Sequence, residues 1–508
     1  LLKMVADAGA LSFEGADELA DVSARHPHLN REVAYLDFFK SYSFGVRSIA
    51  GDAAEITEAP DEDRLRVAQE SQSSHDIEKQ LGWSAFCHSN PEGAFEILHG
   101  APLDEVNAPL WSGLVSALAH ASMLSAEVRH DLTLSIFERL DAAGDQFLVL
   151  IVRNLADLYW SSHGRAEPAI AAWWPRLFQA AVAVDRDEIE EDRDIVDRAL
   201  NSPAGRLTDA VLVELEEGRK AGEAAVPGRI GNLVTAADAP AYSGALARTS
   251  LIRNLGFVLS FDVREVNERL VAAVDGDGPE ARALRRVLVS HGRLSAAATR
   301  MFGQAIVEGA TSLGSEDRAD WAAFNILIPV LDAVRRGPEA ECWGLSSEDA
   351  ARALREGSLA LREGTLEVVV SWLNQMEEGP EASWRAAIGP LLARVWPRER
   401  RFKHPRLSRH FAEIAVAAGD AFPDAFSQLQ PYMMPLEGYS SMYAIEKTQA
   451  PDVYPTKTLA LLWGLLGPDS RAEVYDAAKL LDRLLAADPE LERDRRLQWL
   501  DQRYRRDE

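Results

Sequence analysis

The chain has 508 residues, 47% of them hydrophobic, with 54 Lys and Arg against 80 Asp and Glu for a net charge of −26. That length and apolar content supply a large core, whereas the acidic total repels polyanions at long range and argues against a general nucleic-acid or anionic-membrane surface. Its two cysteines, Cys87 and Cys342, cannot build a disulfide framework, and no stretch reaches the ~18 to 20 consecutive apolar residues of a membrane helix; a cytoplasmic protein with no membrane partner is expected.

The amino end, Leu1-Leu-Lys-Met4, has neither an initiator Met nor a secretory pattern and opens on helical spacing. A longer parent chain is expected, with a start at Met4 as the alternative. Tyr35, Phe38, Phe39, Tyr42 and Phe44 lie at the spacing of a buried helix face. Helix starts are then marked by Asn90-Pro91, Ala108-Pro109, Glu167-Pro168 and Ser202-Pro203. Leu110, Leu114, Ala117, Leu118 and Ala121 form one helix face. The run Phe147 to Val152 resembles a buried strand, but Leu148, Ile151, Val152, Leu155 and Tyr159 keep the helical period.

Residues 185–194 hold seven acids and two arginines, read as a solvated helix face rather than a divalent-cation site. Glu214 to Asn232 is rich in Gly, Ala and charge, which predicts a linker at 216–232. The expected organisation is N-terminal helical repeats (1–215), that linker, middle repeats (233–390) and a C-terminal helical unit (391–508). Helices resume at Ala241, Val263 and Ala281, and Leu366, Val369, Val370, Leu373 and Met376 keep the helical period. Near the end, Pro455, Ala477 and Leu497 mark three more helices. Alternating patterns and Asn-Gly hairpin signals are missing, so the chain reads as all-α. Serial helices with short breaks suggest a HEAT-like α-solenoid of stacked helix pairs; irregular helical bundles or an α/α toroid give the same periodicity.

Chemical motifs fail on their context. Gly276-Asp-Gly-Pro-Glu-Ala281 matches the dinucleotide pattern, yet it follows a helix and carries acids where a pyrophosphate would sit. As a calcium loop it would place Pro279 and Arg286 at ligand positions. His75, Cys87, His88 and His99 lack the one-turn spacing of metal ligands. No catalytic residue, metal or cofactor is assigned to the chain.

The local exception to the acidic whole is Arg394 to Arg409, where Arg394, Arg398, Arg400, Arg401, Lys403, Arg406 and Arg409 face a single Glu399 among Trp396, Phe402 and His404. Guanidinium groups interleaved with aromatics suit an acidic partner surface or a phosphate; neutralisation by acids of neighbouring helices is the competing reading. Arg398, Arg400, Arg401, Lys403, Arg406 and Arg409, with Tyr439, Tyr443 and Tyr454 downstream, are the candidate partner-binding residues.

Five phrases carry a family resemblance: Leu200-Asn-Ser-Pro-Ala-Gly-Arg-Leu207, His404-Pro-Arg-Leu-Ser408, Gly419-Asp-Ala-Phe-Pro-Asp-Ala425, Tyr454-Pro-Thr-Lys-Thr-Leu-Ala-Leu-Leu462 and Arg495-Arg-Leu-Gln-Trp-Leu500. Over roughly residues 195–508 the chain resembles the helical C-terminal region of bacterial antiphage defence proteins that carry a sirtuin-like NAD-cleaving domain at the amino end. The resemblance implies a regulatory, phage-sensing or assembly module, with NAD as substrate of that other domain only. Implied partners are the effector domain, sister subunits of a homo-oligomer and a phage protein. Sirtuin nucleotide motifs are absent here, so no catalytic residue carries over. A stand-alone helical adaptor is the main alternative, ahead of a helical-toroid hydrolase or a nucleic-acid-binding solenoid.

Overall fold

The computed structural model describes residues 51–505 apart from 52, 75, 121–123, 163–167, 185–194, 223–226, 315–317, 338–339, 341 and 475. The aromatic patch at 35–44, the acidic run at 185–194, Ala121 and His75 therefore lie outside the described residues. Those described are all-α except for one pair of three-residue strands. Contacts gather into two compact units, one ending at Phe147 and one starting at Leu148.

In the first unit, α1 (Gly82–Ser89), α2 (Pro91–His99) and α3 (Ala108–Ala119) pack together. Asn90 caps α2 by accepting the Gly93 N–H at 3.0 Å, with Pro91 following in the first turn. Leu110, Leu114, Ala117 and Leu118 are buried, as their spacing requires. Trp83 fills the same core, and its indole N–H donates to the Leu110 carbonyl at 2.8 Å, so its own donor is satisfied on burial. The ambiguous apolar run lies within the 17-residue helix Asp145–Ser161, most of which belongs to the second unit. Its residues Leu148, Ile151, Val152, Leu155 and Tyr159 are all buried.

After that helix the second unit includes α4 (Trp174–Val184), α5 (Pro203–Lys220), α6 (Pro227–Asp238), α7 (Ala241–Arg253), α8 (Arg264–Asp275), α9 (Pro279–Ser290) and α10 (Ala296–Thr311). It continues with α11 (Ala319–Arg336), α12 (Ser347–Glu356), α13 (Leu359–Gln375), α14 (Gly389–Val395), α15 (Pro405–Ala417) and α16 (Phe422–Leu429). Then come α17 (Pro455–Leu466), α18 (Ala477–Ala487) and α19 (Arg495–Tyr504). Two interleaved packing series run through it. Helices α4, α5, α7, α9, α11, α13 and α15 each touch the next in that order, as do α6, α8, α10, α12 and α14.

Serine caps set many of the starts: Ser202, Ser295, Ser346 and Ser358 accept the third backbone N–H of their helices. The Gly276–Ala281 stretch forms the turn between α8 and α9 and the first residues of α9, as expected of a helix-to-helix turn. The segment assigned to a linker is helical at both ends: α5 runs to Lys220, where Lys220 pairs with Glu216 at 2.9 Å one turn earlier, and α6 starts at Pro227. Charge spaced at i and i+4 supports an exposed helix end as readily as it marks a linker.

The strands β1 (Glu437–Tyr439) and β2 (Arg471–Glu473) pair in parallel, with Glu437 opposite Arg471 and Tyr439 opposite Glu473. Three residues are too few for an alternating pattern, so the sequence carried no sign of them. Leu436 anchors the pair: its N–H donates to Leu465 at 2.8 Å and its carbonyl accepts Arg471 N–H at 3.0 Å.

A candidate partner-binding face

The basic run leaves α14 and enters α15. Trp396 is buried and meets the Phe411 ring edge-on at 5.0 Å, so this aromatic of the run belongs to the core. The chain then surfaces as a short 3-10 turn, Arg400–Phe402. His404 caps α15 through Nδ1, which accepts the Arg406 backbone N–H at 3.2 Å.

The nine candidate residues divide by their partners. Arg406 is bound at two points by Glu363 of α13, each 2.7 Å long, and Arg409 pairs with Glu413 one turn on at 2.9 Å. For these two, neutralisation by neighbouring acids is what the fold does. Burial opposes ionisation of Glu413, but the hydrogen bond from Arg409 and the His410 ring 3.4 Å away outweigh it and hold its carboxyl below the usual range. Arg398 reaches only the Ala393 carbonyl, at 3.4 Å. The Arg401 guanidinium lies 4.6 Å from the centre of the Phe402 ring, which Arg362 also approaches, at 5.2 Å. Glu399, the one acid of the run, is taken by Arg355 at 3.2 Å. Arg398, Arg400, Arg401 and Lys403 make no ion pair among the described residues.

Arg406, Arg409 and Tyr439 come together in one cleft of about 590 Å³. Glu363 and Glu367 of α13 form one wall, residues 404–410 a second and residues 436–440 a third. Gly438, at φ +69°, has the left-handed backbone that lets β1 form this wall, and a side chain there would strain it. Tyr439 stands 77% exposed at the rim. The other two tyrosines lie elsewhere: Tyr443 packs against the Lys447 ammonium at 4.1 Å, and the Tyr454 hydroxyl donates to the Asp420 carbonyl at 3.3 Å.

Sequence reasoning missed a second cleft, about 270 Å³, between α11 and α13. Trp321, Phe324 and Trp372 line it, with the Arg293 guanidinium 4.7 Å from the Phe324 ring centre. Asp320 is held there by a two-point contact with Arg318, at 3.1 and 3.2 Å. Glu367 belongs to both clefts and, like Glu437, has no ion pair among the described residues. The readable signal was the pair Trp321 and Phe324, three residues apart and flanking the buried stripe.

Of the Cys and His set, His75 lies outside the described residues. Cys87 is buried and His88 Nδ1 contacts the Ser84 carbonyl at 2.8 Å. Among the described residues no three His, Cys, Asp or Glu side chains converge as metal ligands. Nor is any described helix long and apolar enough to cross a membrane.

The chain is 30% identical over 504 residues to a protein of Sinorhizobium fredii (strain NBRC 101917 / NGR234) called "Uncharacterized protein y4cA". The match takes in 98% of this chain but 42% of that protein, so the chain spans less than half of this relative's length. No protein-family model matches the chain, and no solved structure matches it.

Proposed function

We propose that the chain is a protein-interaction module, a HEAT-like α-solenoid serving as the regulatory, phage-sensing or assembly part of an antiphage defence protein. Its effector would be a sirtuin-like domain that cleaves NAD. The solenoid reading draws on the two interleaved series: a helix that touches the next of its own series and its neighbours in the other is the contact pattern of stacked helix pairs. Such stacks present long continuous surfaces suited to other proteins.

The single observation that carries the interaction reading is the strip Arg398, Arg400, Arg401 and Lys403. In a chain of net charge −26, four neighbouring cations without an ion pair are a surface kept available for an acidic partner. The defence reading rests on the five phrases given above. Four of them contain a helix start at α5, α15, α17 or α19, and the fifth runs through a 3-10 turn into α16. The Sinorhizobium protein is more than twice as long as the region matched, which leaves length in that protein for a further domain.

The test uses cells expressing the full parent gene, infected with phage, with NAD measured through the infection. NAD is expected to fall with the wild-type gene and to persist in the triple variant Arg400→Glu, Arg401→Glu, Lys403→Glu at equal protein level. Constant NAD in infected wild-type cells removes the defence reading. Equal NAD loss in both removes the role given to the strip.

A further inference from the structure

We infer that the basic strip and the cleft beside it form one self-complementary face, through which the chain pairs with a second copy of itself. This rests on reading the face as an interaction surface, and it names the occupant.

The strip supplies Arg398, Arg400, Arg401 and Lys403, whose charges no carboxylate of the described residues neutralises in an ion pair. The cleft places carboxylates beside it: Glu363, Glu367 and Glu437 line it together with Arg406 and Arg409. Arg406 is paired with Glu363 and Arg409 with Glu413, which leaves Glu367 and Glu437 in the cleft with no ion pair among the described residues. Tyr439, 77% exposed, lines the same cleft. Cations without ion pairs thus adjoin carboxylates without ion pairs, and among the described residues no ion pair joins the strip to the cleft.

Adjacency fixes the symmetry. Lys403 ends the strip and His404 begins the cleft wall, so both patches share one surface of one unit. When complementary patches abut, the strip of each copy enters the cleft of the other, both contacts are satisfied at once, and the assembly closes as a two-fold dimer. Patches far apart would instead give rings or filaments. The charge of −26 sharpens the choice, because two copies repel elsewhere and attract where the strip faces Glu367 and Glu437.

The test is sedimentation velocity on the full chain and two variants, each checked for unchanged helicity by circular dichroism. The strip variant is Arg400→Glu, Arg401→Glu, Lys403→Glu; the cleft variant is Glu367→Lys, Glu437→Lys. Wild type is expected to be a dimer at low salt that dissociates as NaCl rises from ~50 to ~500 mM, where screening shortens to a few ångströms. Each variant alone should dimerise at least about tenfold more weakly. Mixed in equal amounts, the two should form a mixed dimer, since acidic strip then meets basic cleft and basic strip meets acidic cleft. A monomeric wild type, variants that dimerise normally, or a mixture that stays monomeric overturns the inference. Loss of NAD cleavage in cells by the strip variant, with a monomeric wild type, would leave the broader reading standing with a different acidic partner.

Discussion

Arg406 grips Glu363 at two points, with Nε 2.7 Å from one carboxylate oxygen and Nη2 2.7 Å from the other. The pair joins α15 to α13 within the lining of the cleft. It is asymmetric: the Glu363 side chain is 13% exposed, and Arg406 67%. Arg406→Ala strands a largely buried carboxylate and is expected to cost about 1 to 2 kcal/mol in urea unfolding. Arg406→Lys should recover less than half of that loss, because an ammonium cannot reproduce the two-point fork. Full recovery by Lys would show that charge alone matters at this position.

Gly364 lies next to Glu363 where α13 meets the start of α11. A Cβ there would fall 2.8 Å from the Ala319 carbonyl group and 2.9 Å from Asp320 N, all backbone atoms. Helix α13 must therefore move for Gly364→Ala, and overpacking of this kind costs about 1 to 3 kcal/mol. The shift carries Glu363 and Glu367 with it, so dimerisation should weaken together with stability. Sedimentation and urea unfolding on the same variant check both, and a variant as stable as wild type would mean the helices yield freely.

Much of the fold was legible because it rests on local chemistry. Asn90 and Ser202 beside proline mark helix starts by hydrogen bonds made within three residues, and Leu148 to Tyr159 kept the helical period through an apolar run. The site was half legible. A run of basic residues shows charge, but whether each charge is spent depends on a partner far along the chain. Glu363, 43 residues before Arg406, has no local mark. Nor does Asn325, fully buried, whose amide donates to the Val289 and Gly292 carbonyls at 3.1 and 2.8 Å while its oxygen accepts Leu294 N–H at 2.9 Å. Asn325→Leu should cost about 2 to 4 kcal/mol in thermal or urea unfolding, since three backbone groups lose their partner together.

Glu413 links stability to pH. Its folded pKa lies below the ordinary carboxylate value, ~4.3 in an unfolded chain. A depressed pKa contributes stability that is fully present above the unfolded value and is lost as pH falls through the folded one. Glu413→Gln is therefore expected to unfold more easily than wild type at pH 7, with the difference shrinking below about pH 4. Unfolding curves across that range check the sign. A difference that grows on acidification would mean the carboxyl is held above its ordinary value instead.

The two cysteines give a probe of the first unit. Cys342 is exposed, whereas Cys87 is fully buried on α1 and burial pushes its thiol pKa up, so neither access nor thiolate favours its reaction. A thiol reagent should titrate one cysteine at once in the native chain and the second only through opening of the helices around α1. The Asn90 cap tests that coupling. Asn90→Ala removes the bond to Gly93 N–H, an N-cap loss of about 1 kcal/mol. If opening of α1 and α2 is one event, Cys87 labelling should accelerate about fivefold, the factor that corresponds to that energy, with Cys342 unchanged. An unchanged Cys87 rate would mean that α1 opens independently of the helix that follows it.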